Sequence, residues 1–378
     1  MGKALKPSQR IDLLSRLLRF DLTDADAARM REELRRAEAW PELAEEAMRH
    51  LVAPLLYLRG TRHGSLQGAP AEFTEFLELA HRLNGERNRR MREQALALAQ
   101  AMESHGLRAI ALKGAAIAFD APVEGGPLMS DIDLLVSSRE TDKALAVAAS
   151  LGYASSRSDP EGHSTVLSHP DGMASIDLHH DVGPQKDLLD AEEAIERAER
   201  PAGSAFWRLQ PSDQAIHNIY HAQVQNRCYE LALLSLHQLC NFGLLLEQCD
   251  GRVDWDLVRR RFERSGYSAH LAAHLHLAER LLGIRAANGI AFGWRETVHF
   301  RRMMLQLDWP WLHDLVTYPA ILTHQATQTR IAYRRARGLR AQSPAVAVAS
   351  AILNGLRRHR GASLSKFMDV HKRRFGRR

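Results

Sequence analysis

The sequence predicts an α+β fold in which a small mixed β-sheet core is flanked by N- and C-terminal helical regions. Residues 8–104, and most of the chain after Gly183, carry apolar side chains at helical spacing. Between them, short apolar runs alternate with helical stretches and are separated by turn residues, the pattern of a small sheet with helices against it. With 45% hydrophobic and 25% charged residues, the composition is that of a globular chain able to bury a core, which excludes a mainly disordered protein.

Taken in order, Ile11, Leu13, Leu14, Leu17 and Leu18 mark a first helix, Thr23 and Asp26 a capping pair, and Trp40-Pro41 an interruption. A Gly-containing loop at 60–70 precedes a long helix over 71–104, with Leu77, Leu83, Met91, Leu96, Leu98 and Met102 expected inward. The period changes at His105-Gly106. Strands are expected at 107–112, 131–136, 163–168 and 174–181, with helices over 115–119 and 139–151. Four regions follow: helical 1–104, an α/β core at 105–185, helical 186–329, and a basic segment at 330–378.

The net charge of +6 is local. From Arg330 onward there are 14 Lys or Arg against one acid, so that end carries +13 and the rest −7. Such an asymmetry fits either a polyanion-binding appendage or a solvated tail. Three cysteines without CxxC spacing suggest neither a disulfide framework nor a zinc site. The start MGKALKPS lacks a signal peptide's design, and no apolar run approaches the length of a bilayer span, so a cytoplasmic protein is expected.

The chemistry concentrates in Ser130-Asp131-Ile132-Asp133-Leu134-Leu135-Val136. In a strand, residues two apart share a face, so Asp131 and Asp133 sit side by side while Ile132 and Leu134 point away. A third carboxylate, Asp177, lies in the strand pattern Ser175-Ile176-Asp177-Leu178-His179. If the two strands pair, three carboxylates meet, a hard oxygen set suited to Mg²⁺ or Mn²⁺ and to in-line phosphoryl or nucleotidyl transfer. Upstream, Leu112-Lys113-Gly114-Ala115 closes a strand and opens a helix, offering backbone N–H groups and a lysine to an anion.

These three motifs, in this order and spacing, resemble the LKG, DIDLLV and IDLH pattern of the uncharacterised nucleotidyltransferase family of the polymerase-β superfamily. The resemblance extends through Leu151-Gly152-Tyr153 and the helices after Gln214, over about residues 70–285. It implies a nucleotidyltransferase fold with helical additions, and transfer of a nucleoside monophosphate from an NTP, ATP foremost, to an acceptor hydroxyl. Asp131, Asp133 and Asp177 would be the catalytic and metal-binding carboxylates. Lys113, Gly114, Ser130 and His179 would contact the nucleotide, with His179 touching substrate or orienting a metal ligand. The acceptor classes are a small molecule, a protein side chain and an RNA end. Two departures stand out: Ala115 follows Gly114 where the superfamily has Ser, and no Arg stands shortly before Asp131.

The alternative readings are an RNA-directed transferase using the basic end, and a non-catalytic binding module of the same fold. His217 and His221, four apart on a helix, resemble a zinc-protease pair, but Asn218 stands where the general base would be, so a packing pair is expected.

Overall fold

The computed structural model describes residues 5–36, 40–119, 126–156, 163–285, 290, 292–309 and 311–312. The basic segment at 330–378 and part of the Gly-rich stretch at 124–127 lie outside the described residues. The chain forms two compact units, one of residues 1–229 and 233–302, the other of 230–232 and 303–378.

The first unit opens with α1 (Pro7–Leu17), α2 (Asp24–Arg36), α3 (Trp40–Arg49) and α4 (Ala53–Arg62). Proline suits the first turn of α1, where a backbone N–H has no intrahelical partner. The capping pair forms as expected: Thr23 N donates to Asp26 Oδ2 and Asp26 N to Thr23 Oγ1, each at 3.2 Å. Next comes α5 (Ala71–Ser104), whose bounds match the expected helix. Its buried stripe runs through Leu77, Asn84, Asn88, Met91, Ala95, Leu98 and Met102. Leu83, expected inward, is 58% exposed, because the stripe passes through its neighbour Asn84, about 100° further round the helix.

The sheet follows: β1 (Ile110–Ala111), α6 (Lys113–Ala118), β2 (Ile132–Leu135), α7 (Thr141–Ser150), β3 (Ala154–Ser156), β4 (Ser164–Ser168), β5 (Ile176–His179), α8 (Ala191–Glu196) and β6 (Trp207–Arg208). Its strand order is β3-β4-β5-β2-β1-β6. The β2–β5 and β1–β6 pairs are parallel and the other three antiparallel, so the sheet is mixed. Only two residues of the apolar run 107–112 enter the ladder. Leu107, Ala109 and Leu112 are nevertheless buried, which accounts for the apolar run. β3 and β6 were not expected: β3 is an exposed, polar edge and β6 is two residues long, so neither leaves a period to read.

One face of β2 and β5 packs Ile132, Leu134, Ile176 and Leu178 against Met91, Ala95, Leu98 and Met102 of α5 and Ala144, Val147 and Ala148 of α7. Each such fully buried aliphatic contributes about 1.5–3 kcal/mol over its exposed state. The chain then runs through α9 (Pro211–Tyr220), a π-helical turn at His221–Gln225, α10 (Cys228–Leu231), α11 (Leu236–Cys249), α12 (Trp255–Arg264), α13 (Ser268–Leu282) and α14 (Trp294–Asp308). In the second unit Met303 is buried, and Gln306 donates to the Leu231 carbonyl at 2.9 Å. No helix among the described residues is long and apolar enough to cross a membrane.

Candidate active site

The alternation expected of the Asp-x-Asp run is present. Ile132 and Leu134 enter the core, and Asp133 lies on the opposite face. Parallel pairing sets the register Ile132↔Ile176, Asp133↔Asp177, Leu134↔Leu178 and Leu135↔His179. The structure thus brings Asp133 and Asp177 side by side, with Asp131 one position before the strand. Asp133 is only 5% exposed, so this face of β2 is covered as well.

Asp133 Oδ1 accepts two hydrogen bonds, from Lys113 Nζ at 2.6 Å and from His179 Nε2 at 2.8 Å. The carboxylate can only accept, so His179 carries its proton on Nε2. Its buried Nδ1 has no hydrogen-bond partner among the described residues. The His179 ring stacks on His163, with centroids 5.6 Å apart and planes at 22°. Asp131 accepts from Ser130 Oγ at 3.0 Å.

The three carboxyls titrate differently. Burial pushes Asp133 upward, but the Lys113 ammonium and the His179 hydrogen bond outweigh it and hold the group well below the usual carboxylate range. Asp131 is raised, first by burial and then by the Asp133 charge. Asp177 is raised by burial and then by Asp131 and Asp133. Such like-charge crowding is relieved by a cation. Donor atoms of Asp133, Asp177 and His179 lie within 4.8 Å of one another, close enough to share one ion. The set of carboxylates fits a hard divalent cation, with one imidazole nitrogen alongside.

Two helices fix this geometry. On α5, Asn84 Nδ2 donates to the Gly126 carbonyl at 3.0 Å and Asn88 Nδ2 to that of Pro127 at 3.0 Å. Arg87 donates to the carbonyls of Met129 and Ser130, so the segment leading into Asp131 is held from one helix. The same helix holds the entry to β5, since Gln94 donates to the Ala174 carbonyl at 2.8 Å and accepts from Met173 N at 2.8 Å. At the far end of β2, Glu192 of α8 accepts from Ser137 Oγ, Ser138 N and Ser138 Oγ. No Arg stands shortly before Asp131 in sequence, yet Arg87 reaches that backbone in space.

Lys113 starts α6 with a left-handed backbone, φ 48°, unusual for a residue with a side chain. Gly114 follows and is buried. A Cβ there would come within 2.7 Å of Met129, so its missing side chain makes room for Met129.

His217 of α9 and His221, which opens the π-helical turn after it, lie nearer this site than their expected packing role implied. His217 is buried and held down to about 3, first by burial and then by the Lys113 charge. His221 is held well below its ordinary value for the same two reasons. Their rings lie 6.3 Å apart, and Gln238 Nε2 is 3.3 Å from His221 Nδ1. A cavity beside Lys113 is lined by Gln214, His217 and Asn218 on its polar side and by Leu112, Ile117 and Leu245 among others. The i, i+4 spacing was visible in the sequence; which strand that helix face meets was not.

No curated protein matches the sequence. Among solved structures, the solution structure of the antibiotic-resistance factor ANT(2'')-Ia is 16% identical. That match covers 49% of this chain and 98% of the other, with a TM-score of 0.34, too low to argue from. Residues 36–283 match the family described as uncharacterised nucleotidyltransferase. That span exceeds half of the chain and holds every motif residue from Lys113 to His179, so the protein belongs to this nucleotidyltransferase family and is an enzyme of that type.

Proposed function

We propose that the enzyme transfers a nucleoside monophosphate from an NTP, most readily ATP, to an acceptor hydroxyl with release of pyrophosphate. The observation that carries the reading is the register of β2 on β5, which sets Asp177 beside Asp133 on the face bearing Lys113 and His179.

Asp131, Asp133 and Asp177 would hold Mg²⁺ or Mn²⁺. When bound, the cation supplies charge stabilisation at the transferred phosphoryl group and a lowered pKa at the attacking hydroxyl. Asp177, its carboxyl raised by burial and by its neighbours, is suited to take the acceptor's proton. His179 orients Asp133 through Nε2. Lys113, the backbone of Gly114 and Ser130 contact the nucleotide. The helical regions 1–104 and 186–329 shape the choice among a small molecule, a protein side chain and an RNA end, and the basic segment 330–378 adds polyanion affinity.

The test is incubation with each α-labelled NTP, Mg²⁺ or Mn²⁺, and a lysate fractionated into protein, RNA and small molecules. Label in one fraction, dependent on the metal and lost in Asp177→Asn, names the acceptor class. Folded protein that labels nothing with any NTP would overturn catalysis in favour of a binding module.

A further inference from the structure

Two donors converge on a single oxygen. Lys113 Nζ and His179 Nε2 both bond Asp133 Oδ1, at 2.6 and 2.8 Å. The Lys113–Asp133 contact is shielded, with side-chain exposures of 23% and 7%. The same carboxylate belongs to the cation-sized cluster, in which donor atoms of Asp133, Asp177 and His179 lie within 4.8 Å of one another. The lysine's ammonium bonds the carboxylate at the centre of that cluster. An ammonium therefore stands where a divalent cation would do the same electrostatic work.

One carboxylate cannot serve both cations at full strength, because two positive charges beside it repel one another. Lys113 is built to yield. Its ammonium sits on a flexible four-carbon stem, and the cavity lined by Gln214, His217 and Asn218 adjoins it. Asp133 and Asp177 are anchored in paired strands and are not free to move aside.

We propose that Lys113 is a tethered counter-cation that the divalent metal displaces from Asp133, and that the released ammonium pairs with the polyphosphate of the nucleotide. Metal and nucleotide then bind cooperatively. Metal alone must compete with the lysine, and polyphosphate alone must draw the lysine away from an unneutralised Asp133. By linkage the coupling is reciprocal: whatever the metal adds to nucleotide affinity, the nucleotide adds to metal affinity. The inference rests on the metal-site reading above.

Mn²⁺ binding to the whole chain, without nucleotide, is measured by electron paramagnetic resonance for wild type, Lys113→Met and Asp177→Asn. In parallel, acetylation of Lys113 in the wild type is followed by mass spectrometry with and without saturating Mn²⁺, with exposed Lys143 as internal reference. Wild type should bind Mn²⁺ and Asp177→Asn should bind it weakly. Lys113→Met should bind it more tightly than wild type by about fivefold or more, the lower end of ordinary coupling. Lys113 acetylation should rise several-fold with Mn²⁺ while that of Lys143 stays constant. If neither wild type nor Lys113→Met binds Mn²⁺, or Asp177→Asn binds it as well as wild type does, the metal-site reading fails. If wild type binds Mn²⁺ but Lys113→Met binds it no tighter and acetylation does not change, the displacement is wrong and the site reading stands. Should Lys113→Met fail to fold, the acetylation result decides alone.

Discussion

Asp133 and Asp177 face each other across one ladder step, yet their environments differ in sign, and that difference can be measured. Replacing Asp131, Asp133 or Asp177 by Asn keeps the shape but loses the charge proposed to hold a cation. Each change should lower transfer by roughly a thousandfold or more, the scale of losing one preorganised charge-stabilising group. Stability without metal should separate them. Asp177 is raised in the fold, so the folded protein binds more protons than the unfolded chain, and stability falls as pH rises through that raised value. At neutral pH in EDTA, Asp177→Asn should therefore melt higher than wild type, and the gain should vanish on acidification. Asp133 is lowered, so its contribution is present at neutral pH and is lost only in strong acid. Asp133→Asn should melt lower, since it leaves the Lys113 ammonium without its carboxylate. A thermal melt of both variants that moves in the same direction would contradict this assignment. The buried histidines act in the opposite pH range. His217 and His274 are held to about 3 and His221 well below 6.5, in each case first by burial, so the unfolded chain takes up protons that the fold refuses. Stability should fall as pH drops below about 6.5, and His217→Gln should flatten that slope in melts recorded from about pH 7 to about pH 4.

At the scale of elements, α5 is the scaffold of the site. Its 34 residues carry a core stripe on one face and, within that stripe, Asn84 and Asn88, with Arg87 and Gln94 close by. Gln94→Ala would leave the backbone at 173–174 without its partners, which costs about 1–3 kcal/mol when such groups stay buried. Chemical denaturation should show that loss, and Mn²⁺ titration should show weaker binding, because the same contact fixes the entry of Asp177 into the sheet. An unchanged Mn²⁺ affinity alongside lowered stability would limit Gln94 to a packing role. The bounds of α5, the cap at Thr23 and the strands bearing Asp133 and Asp177 were legible, since periodicity and capping are local properties. Leu83 was misread because hydrophobicity was followed where the buried positions hold asparagine. The two short strands β3 and β6, the parallel sense of β2 on β5, and the approach of His217 to Lys113 are relations between distant segments. No window of sequence carries them.

For the whole molecule, the charge asymmetry separates two roles. The motif residues all lie in a body of net negative charge, while the end from Arg330 carries +13. Removing residues 357–378 should leave nucleotide binding and turnover of a small acceptor unchanged. It should weaken any RNA binding and reduce its salt dependence, measured by fluorescence anisotropy over a salt series. Loss of nucleotide binding on truncation would place that end in the active site. The parallel pairing of β2 with β5 bears on something else, the order of events as the chain folds. Asp133 and His179 meet across 46 positions of sequence, and parallel strands cannot be joined by a tight hairpin, so loop closure must precede their contact. The expectation is that the cation site is assembled after the crossing of the folding barrier. A metal that binds only the finished site should slow unfolding and leave the refolding rate as it was. In a stopped-flow chevron, Mg²⁺ should lower the unfolding arm alone, and the bound ion would act as a latch on the native protein rather than as a guide to reaching it.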